Sequence, residues 1–142
     1  MTLVETIAEA RRTGDLEPVV ERIPYLQWMG IEMGVEDGAV LATMRYGDRL
    51  IGNFVHRALH GGTLGALLES AAVFELLYAG GGETLPRIVN ITVEYLRSAS
   101  DRDTYASASL VKVGRRVANV RAIAWQDDPR RPVASAHCHF LV

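Results

Sequence analysis

Residues 56–72, HRALHGGTLGALLESAA, place chemically capable side chains inside an otherwise apolar segment. His60 and the paired glycines Gly61 and Gly62 open it, and Glu69 follows nine positions after His60. Paired glycines at a helix start let a substrate approach the backbone closely, and the free N–H groups of the first turn favour an oxyanion. A carboxylate in apolar surroundings is costly unless it is paired or useful. We therefore predict that the Gly62 N–H is the principal oxyanion donor and that Glu69 is a general base or nucleophile.

Each of these residues also has a structural interpretation. Glu69 could be a buried acid held by hydrogen bonds from the backbone or from Ser70. His60 could orient a substrate carbonyl, or it could fix the Gly-Gly turn through a hydrogen bond. Asn53, in the loop before His60, is a further catalytic candidate with a turn-forming role as the alternative. Glu69 lies about 10 Å along the helix axis from Gly62, so we expect both to reach one carbonyl only if a second subunit places its helix antiparallel beside the first.

Other polar residues are weaker candidates. Glu75 is near the helix end, where we expect a solvated acid, and Ser70 has no base partner and suits helix packing. His56 is expected to be a solvated loop residue. His137 and His139 share one strand face, but a structural zinc site normally needs four ligands, so no metal is predicted.

The elements that position these residues follow from capping signals and periodicity. A capping box of Thr2 and Glu5, with a stop at Gly14, predicts a short N-terminal amphipathic helix. The pair Asp37-Gly38 predicts a tight hairpin between two strands within residues 31–46. Residues 47–59 have no clear period and are predicted to form a loop.

A long helix is predicted for residues 63–78, because this segment lacks proline and is rich in helix formers. Its apolar residues surround nearly the whole helix, so other elements must wrap it. Four segments rich in Val, Ile, Thr and Tyr supply strands for this, near residues 87–97, 104–113, 116–126 and 132–142. The sequence therefore predicts one α+β domain over residues 1–142, in which a long antiparallel sheet surrounds one central helix.

Composition excludes several classes of function. The chain has 142 residues, 49% of them hydrophobic, and a formal net charge of −2 at pH 7, which argues against a nucleic-acid partner. No apolar run approaches the ~20 residues of a membrane span, and the N-terminus lacks the apolar stretch of a signal peptide. The single cysteine, Cys138, fits a reducing compartment, so a cytoplasmic location without membrane association is expected.

Several motifs together resemble those of the hotdog-fold acyl-CoA thioesterases of the PaaI-like group. They are LHGG at residues 59–62 with Glu69 nine positions after His60, IPYLQWMGIEM before the hairpin, Asn53, and VEYLRSA and VGRRVANVRA in the sheet. The resemblance implies a hotdog fold, in which a curved antiparallel sheet wraps a central helix. It also implies pairing of two subunits into a continuous sheet, often a tetramer, and an active site shared across the interface. The reaction of this family uses coenzyme A as part of the substrate, so the resemblance implies no separate cofactor.

Anionic coenzyme A needs cationic side chains near a surface groove. Arg115 and Arg116, together with Arg97 and Ser98 at a strand end, match positions that the family often uses near the nucleotide, although ordinary turn charges are an alternative for each. Gly61 is predicted to contribute to this binding through close backbone approach.

The sequence thus predicts an acyl-CoA thioesterase that hydrolyses a thioester to a free acid and coenzyme A as a homodimer or tetramer. Some relatives carry a hydroxyl group where this chain has Val73 and Ile88. This difference favours a second hypothesis, a non-catalytic acyl-CoA binding or regulatory module. A hotdog hydratase or dehydratase is a third, less favoured hypothesis, because the acid and histidine motifs of those relatives are not found.

Overall fold

The computed structural model describes residues 1–142, which form four α-helices and eight β-strands. The helices are α1 (Leu3–Thr13), α2 (Glu17–Val20), α3 (Pro24–Met29) and α4 (Gly61–Ala79). The strands are β1 (Ile31–Glu36), β2 (Ala39–Met44), β3 (Ile51–Asn53), β4 (Ala58–Leu59), β5 (Arg87–Tyr95), β6 (Thr104–Val113), β7 (Val117–Trp125) and β8 (Ala134–Leu141).

Six strands form one antiparallel sheet in the order β1-β2-β6-β7-β8-β5, and α4 packs across its inner face. The inward side chains of β8 alternate with outward ones, and Phe140 and Cys138 are fully buried. Val142 follows the end of β8 and is exposed. The prediction of an α+β fold with a central helix against an antiparallel sheet is confirmed.

The predicted capping box of α1 and the predicted turn between β1 and β2 are both present in the structure. Thr2 and Glu5 form the reciprocal capping box of α1, and Gly14 ends this helix in the left-handed region at φ 78°. In the first hairpin Asp37 and Gly38 have φ of 51° and 78°, as a two-residue turn with the sheet's own twist requires. The hairpin therefore fixes the register of β1 against β2.

The N-terminal helix is tied to the far end of α4. The guanidinium group of Arg11 donates to the carbonyl oxygen of Leu77 from Nε at 2.9 Å and from Nη2 at 2.6 Å, and it also donates to the carbonyl of Gly82. The last carbonyls of a helix have no partners within it, so this arginine satisfies one that would otherwise depend on water. α1 thereby stabilises the end of the central helix.

Two predictions were wrong in detail. The loop at residues 47–59 contains a 3₁₀ turn at Asp48–Leu50 and a small sheet of β3 and β4, because Leu50 and Leu59 are buried and bring the two short segments together. Glu75, expected to be solvated, is only 7% exposed, and its carboxylate accepts a hydrogen bond from the Val40 N–H at 2.9 Å. The sheet wraps α4 closely enough to enclose this side chain.

The two edges of the sheet differ. At the β1 edge the N–H of Met33 donates to Glu17 Oε1 at 2.9 Å, so the neighbouring α2 covers part of that edge. At the β5 edge no element of the chain lies beside the strand, and Val89 and Tyr95 are 57% and 56% exposed. An open edge with exposed apolar side chains is a surface at which a further strand can pair.

By length and composition α4 could cross a membrane, since its most apolar window has a mean hydropathy of 1.3. Half of that window is buried inside the domain, and Leu67, Leu68 and Phe74 pack into the core. The apolar character of α4 is accounted for by its central position in the fold.

Candidate active site

His60 begins the central helix. It lies in the extended region immediately before α4, and its Nδ1 atom accepts a hydrogen bond from the Gly62 N–H at 2.9 Å. A side chain that accepts a hydrogen bond from the first helical turn is an N-cap. His60 packs closely against β3, because a Cβ on Gly52 would lie 2.6 Å from the His60 Cα and 3.1 Å from its Cδ2. Of the two roles predicted for His60, the structure shows the capping one.

Tyr95 binds the carbonyl group of the peptide between Gly61 and Gly62, whose N–H is bound by His60. Its hydroxyl group donates to the Gly61 carbonyl oxygen at 2.8 Å, and its ring lies so close to Gly61 that an added Cβ would meet ring carbons at 3.1 Å. The peptide between Gly61 and Gly62 therefore has its C=O bound to Tyr95 and its N–H bound to His60. Two side chains from different elements thus fix the orientation of one glycine peptide.

This arrangement leaves the Gly61 N–H available. As the first residue of α4, Gly61 has no acceptor for its N–H within the helix, and no loop or side-chain acceptor receives it. The donor that the sequence predicts, the Gly62 N–H, is engaged within its own chain by His60. The free donor at the positive end of the helix dipole is therefore that of Gly61.

Gly61 lies in a groove that leads to arginine side chains. Gly61, Leu64 and Tyr95 line an open groove of about 360 Å³ that also includes Arg97 and Ser98. The same Arg97 and Ser98 line an adjoining groove of about 320 Å³, whose other walls include Arg102, Gln126, Asp127, Asp128 and Arg131. The groove at the start of α4 therefore adjoins, at Arg97 and Ser98, a basic region that contains three arginines and two aspartates.

Within that basic region two guanidinium groups lack carboxylate partners. Arg102 pairs with Asp127, and Arg130 pairs with Asp128, whereas Arg97 and Arg131 form no salt bridge. Arg97 donates from Nε to the Pro132 carbonyl oxygen at 3.0 Å, which orients it beside the loop that carries Arg131. Unpaired guanidinium groups in a groove are suited to bind phosphate.

Glu69 is partly buried on α4 and faces a different cavity, of about 240 Å³, formed mostly by apolar side chains. Burial raises the pKa of its carboxyl group, and no hydrogen bond from the chain offsets this effect. Glu69 follows Gly62 by seven residues, so the two lie on the same face of α4. The structure thus places the helix start and the acid on one side of the helix, with the expected axial separation of about 10 Å.

The neighbours of Glu69 do not offer a second nucleophile. The Ser70 hydroxyl donates to the Ala66 carbonyl oxygen at 2.7 Å, which is a local helix contact. Burial, and secondarily the charge of Glu69, raise the pKa of the Cys138 thiol to about 11, so it stays protonated near neutral pH. Glu69 is the one group in this region that is suited to act as a base.

Asn53 is at an exposed turn before His60. Its carboxamide oxygen accepts hydrogen bonds from the N–H groups of Val55 and His56, each at 3.1 Å, in the pattern of an Asx turn. The oxygen therefore has a local structural role, and only the amide nitrogen of Asn53 is available to a substrate. His56 is exposed, as predicted from the sequence.

Arg115 and Arg116 lie at the opposite end of the sheet from Arg97. Arg115 lines a cleft of about 260 Å³ beside the end of α4, and the Arg116 carbonyl accepts a hydrogen bond from the Val142 N–H at 2.9 Å. The eight residues of β8 separate the two ends, a distance of roughly 23 Å at ~3.3 Å per residue. Within one chain the five predicted coenzyme A residues therefore form two groups, with Gly61, Arg97 and Ser98 at one end and Arg115 and Arg116 at the other.

A known protein family matches the part of the chain that carries this site. The family profile described as the thioesterase superfamily matches residues 56–133, which include α4 with its capping histidine, Glu69, Tyr95 and Arg97. The chain belongs to the thioesterase superfamily. Comparison with curated protein sequences gives no significant match.

Solved structures resemble this superfamily member over most of its length. A protein of Chromobacterium violaceum is 34% identical, with a TM-score of 0.76 over 97% of this chain and 96% of that one. A phenylacetic acid degradation-related protein of Ralstonia eutropha is 24% identical, with a TM-score of 0.74 over 84% and 90% of the two chains. A thioesterase of Haemophilus influenzae is 20% identical, with a TM-score of 0.77 over 91% and 90%. The hotdog-like thioesterase fold is thus confirmed.

Sequence reasoning missed two residues that the structure of this superfamily member brings to the site. Tyr95 lies within VEYLRSA, and its position as the last residue of the edge strand next to Arg97 was the available signal. Arg131 lies in the turn between β7 and β8, where a run of arginine and aspartate residues hides which cations are unpaired. Arg102 and Arg130 form salt bridges with Asp127 and Asp128, whereas Arg131 forms none. Hydrogen bonds from the two paired arginines chiefly lower the pKa of both carboxyl groups, and the charge of Arg131 also contributes to this lowering.

Proposed function

We propose that this member of the thioesterase superfamily is an acyl-CoA thioesterase of the PaaI-like group. In this reaction water adds to the thioester carbonyl carbon, the carbon–sulfur bond breaks, and the products are a free acid and the thiol of coenzyme A. The observation that carries the proposal is the free N–H of Gly61 at the start of α4, on a peptide chain that Tyr95 and His60 hold in place. Such a donor stabilises the negative charge that develops on the carbonyl oxygen.

Glu69 completes the chemistry in this proposal. Its carboxylate either deprotonates the attacking water or attacks the carbonyl carbon itself, and both roles are favoured by partial desolvation, which raises its pKa. Within one chain Glu69 follows Gly61, the proposed oxyanion donor, by eight residues, which is about 12 Å along the helix axis. The acid that acts on a given carbonyl is therefore proposed to come from a second subunit.

The open edge of the sheet supports a dimer with this geometry. If β5 pairs antiparallel with β5 of a second copy, the sheet becomes continuous and the two α4 helices run antiparallel. Gly65 and Ala66 lie between Gly62 and Glu69 on the same face of α4. Gly65 has no side chain and Ala66 carries only a methyl group, so two helices can approach closely at this face. Gly61 of one subunit then faces Glu69 of the other.

The same pairing reunites the two groups of arginines. Antiparallel pairing of the edge strands places the Arg87 end of one β5 next to the Tyr95 end of the other. Arg115 and Arg116 of one subunit are thereby moved towards the Arg97 and Arg131 groove of its partner. The proposal is that these cations bind the phosphates of coenzyme A. The buried, unpaired Cys138 fits the cytoplasm as the proposed location.

The first test is a pair of substitutions at Gly61. Gly61→Pro removes the N–H. Proline is well tolerated here because Gly61 is the first residue of a helix and the preceding residue, His60, has an extended backbone. Gly61→Ala keeps the N–H but places a similar Cβ against Tyr95. We expect kcat for acyl-CoA hydrolysis to fall by about 10²–10³ in the proline variant and far less in the alanine variant. Equal losses in both would refute an oxyanion role for this amide.

The second test addresses the shared site. Glu69→Gln and Gly61→Pro homodimers are each expected to be inactive, whereas mixed dimers contain one site with an intact amide and an intact acid. Refolding the two variants together should therefore restore up to about a quarter of wild-type activity, since half of the dimers are mixed and each has one of two sites intact. Recovery that stays at the level of the separate variants contradicts a site formed by two subunits.

A binding module without turnover is the second candidate, and the observation that favours it is the lack of a hydroxyl group at Val73, one helical turn after Glu69. Release of free thiol from a panel of acyl-CoA substrates distinguishes the candidates. Thiol release that is lost in Glu69→Gln, with binding retained, supports hydrolysis. Binding of acyl-CoA to the wild type with no thiol release supports the module, and consumption of an unsaturated substrate without thiol release supports a hydratase.

A further inference from the structure

The cavity beside Glu69 is apolar and is separate from the groove at Gly61. It has a volume of about 240 Å³ and lies between α3, α4 and the segment that precedes β5. Ile23, Tyr25 and Leu26 form one wall, and Val73 and Leu85 form another. The cavity is therefore built largely from the N-terminal region and the central helix.

Charge restricts what this cavity can hold. Glu69 is the only charged residue in its lining, and the one other polar side chain of α4 there, Ser70, already donates to the Ala66 carbonyl oxygen. No lysine or arginine lines the cavity, so a second carboxylate would lie near Glu69 without compensation. The chemistry of the cavity thus favours an uncharged, apolar occupant.

Resting on the proposed function, we propose that this cavity binds the acyl group of the substrate, and that it accepts neutral apolar acyl groups of up to roughly eight carbons. An apolar cavity of ~150 Å³ is large enough for benzene, so one of 240 Å³ holds a six-carbon ring with roughly two further carbons, or a straight chain of similar size. The carbonyl carbon then lies at the Glu69 end of the cavity. The subunit that supplies the acid also supplies the acyl pocket.

Val73 sets the depth of this pocket. It follows Glu69 by four residues, so its side chain lies one turn farther along the same face of α4. Its side chain is partly buried in the cavity wall, so a larger residue at this position fills the cavity without entering the main core. Tyr25, 56% exposed and stacked on Trp28 at a centroid distance of 6.2 Å, forms the rim.

The experiment compares wild type with Val73→Trp across butyryl-, hexanoyl-, octanoyl- and dodecanoyl-CoA, with succinyl-CoA as the charged analogue of butyryl-CoA. Val4→Trp, on the exposed side of α1, is the matched control. For wild type we expect kcat/KM to rise about fourfold per methylene group up to octanoyl-CoA and no further. Succinyl-CoA is expected to react at least about 100-fold more slowly than butyryl-CoA. In Val73→Trp the octanoyl-to-butyryl ratio should fall at least about tenfold, and in Val4→Trp it should stay unchanged.

A chain-length profile that is the same in Val73→Trp and wild type overturns the proposal, as does equal reactivity of succinyl- and butyryl-CoA. Loss of the dimeric state in Val73→Trp, with hydrolysis of every substrate lost alike, also overturns it, because the cavity then holds a side chain of the second copy. If wild type hydrolyses none of these substrates, calorimetric binding of octanoyl-CoA and free coenzyme A tests the pocket separately from the reaction. Tighter binding of octanoyl-CoA that Val73→Trp abolishes supports the pocket, and equal binding of the two ligands refutes it.

Discussion

His60 Nδ1 accepts a hydrogen bond from the Gly62 N–H at 2.9 Å, so the histidine of the HGG motif caps the helix that carries Glu69. To accept this bond Nδ1 must be unprotonated, which places the proton of the neutral ring on Nε2. The imidazole therefore serves the backbone geometry of the helix start. This relationship accounts for the capping role predicted for His60.

A cap can be replaced by another cap. We expect His60→Asn to keep the free energy of unfolding within about 1 kcal/mol of wild type and to keep most of the hydrolytic activity, because asparagine is a preferred N-cap residue. His60→Ala should lose about 1 kcal/mol of stability and part of its kcat. Chemical denaturation and steady-state hydrolysis measure both effects. A His60→Asn variant that is fully stable but inactive would show that the imidazole acts on the substrate.

Tyr95 is expected to act as a positioning residue through its hydroxyl group. Tyr95→Phe removes the hydrogen bond to the Gly61 carbonyl and keeps the ring against Gly61. A lost hydrogen bond of this kind costs about 0.5–1.5 kcal/mol, so kcat should fall roughly two- to tenfold while KM stays within about twofold. Tyr105→Phe, on the ring that contacts Trp125 instead, is the control. An equal effect of both substitutions, or a change in KM alone, would argue against the positioning role.

The sequence predicted the elements of this fold well because their signals are local. The capping box of α1, the Asp37-Gly38 turn and the apolar surface of α4 each depend on residues close in the chain. Glu75 was misjudged because its partner, the Val40 N–H, is thirty-five residues away and belongs to β2, whereas Glu75 is on α4. A single sequence contains no direct record of such a contact.

In the candidate site, too, the features that depend on local sequence were predicted and those that depend on distant contacts were not. The spacing of His60, the glycines and Glu69 identified the residues, and the structure shows which N–H is free only through the bond from Gly62 to His60. Tyr95 reaches Gly61 across a separation of thirty-four residues, so it was not apparent from the motif. The motif identified the residues of the site. Which acceptor each backbone N–H group binds depends on the tertiary fold.

Arg131 is predicted to bind phosphate and not to take part in the chemical step. Arg131→Ala should raise the KM for acyl-CoA roughly three- to tenfold with kcat unchanged, because it removes binding that is equal in the ground and transition states. Arg130→Ala in the same turn is the matched control, since Arg130 pairs with Asp128 at 3.0 Å. The KM increase should shrink at high salt. If the Arg130 substitution raises KM as much, the cations of this turn act only through general charge.

Glu75 is predicted to be structural. Glu75→Ala leaves the buried Val40 N–H without an acceptor, so the free energy of unfolding should fall by about 1–3 kcal/mol. The hydrolytic rate per folded molecule should not change. Glu36→Ala, on the exposed end of β1, is expected to remain within about 0.5 kcal/mol of wild type. Denaturation curves and activity of the folded fraction test this, and a Glu75→Ala variant that is stable but inactive would contradict it.

Glu69 is expected to lower the free energy of unfolding near neutral pH, where its carboxyl group is ionised. Burial raises its pKa above the ordinary value of 4.5, so the native state binds a proton more tightly than the unfolded chain does. Its contribution to the free energy of unfolding therefore falls as pH rises from about 4.5 through the raised native pKa, and it stays low above that value. Glu69→Gln removes this cost, and the variant should be more stable than wild type near pH 7. Because the side chain is only partly buried, solvent screens the effect, and we expect a gain of at most about 1 kcal/mol, or roughly 3 °C in Tm.

At about pH 4 the stability difference between wild type and Glu69→Gln should nearly vanish, because the carboxyl group is then protonated in both states of the wild type. Over the same range wild-type kcat/KM should fall as pH decreases through the raised pKa, because the reaction needs the ionised carboxylate. Denaturation at a fixed protein concentration between about pH 4 and pH 8, with Glu36→Gln as the exposed control, measures the first effect. A stability difference that does not change with pH would show that Glu69 is solvated in the native protein, and the desolvated base that the mechanism requires would then be absent.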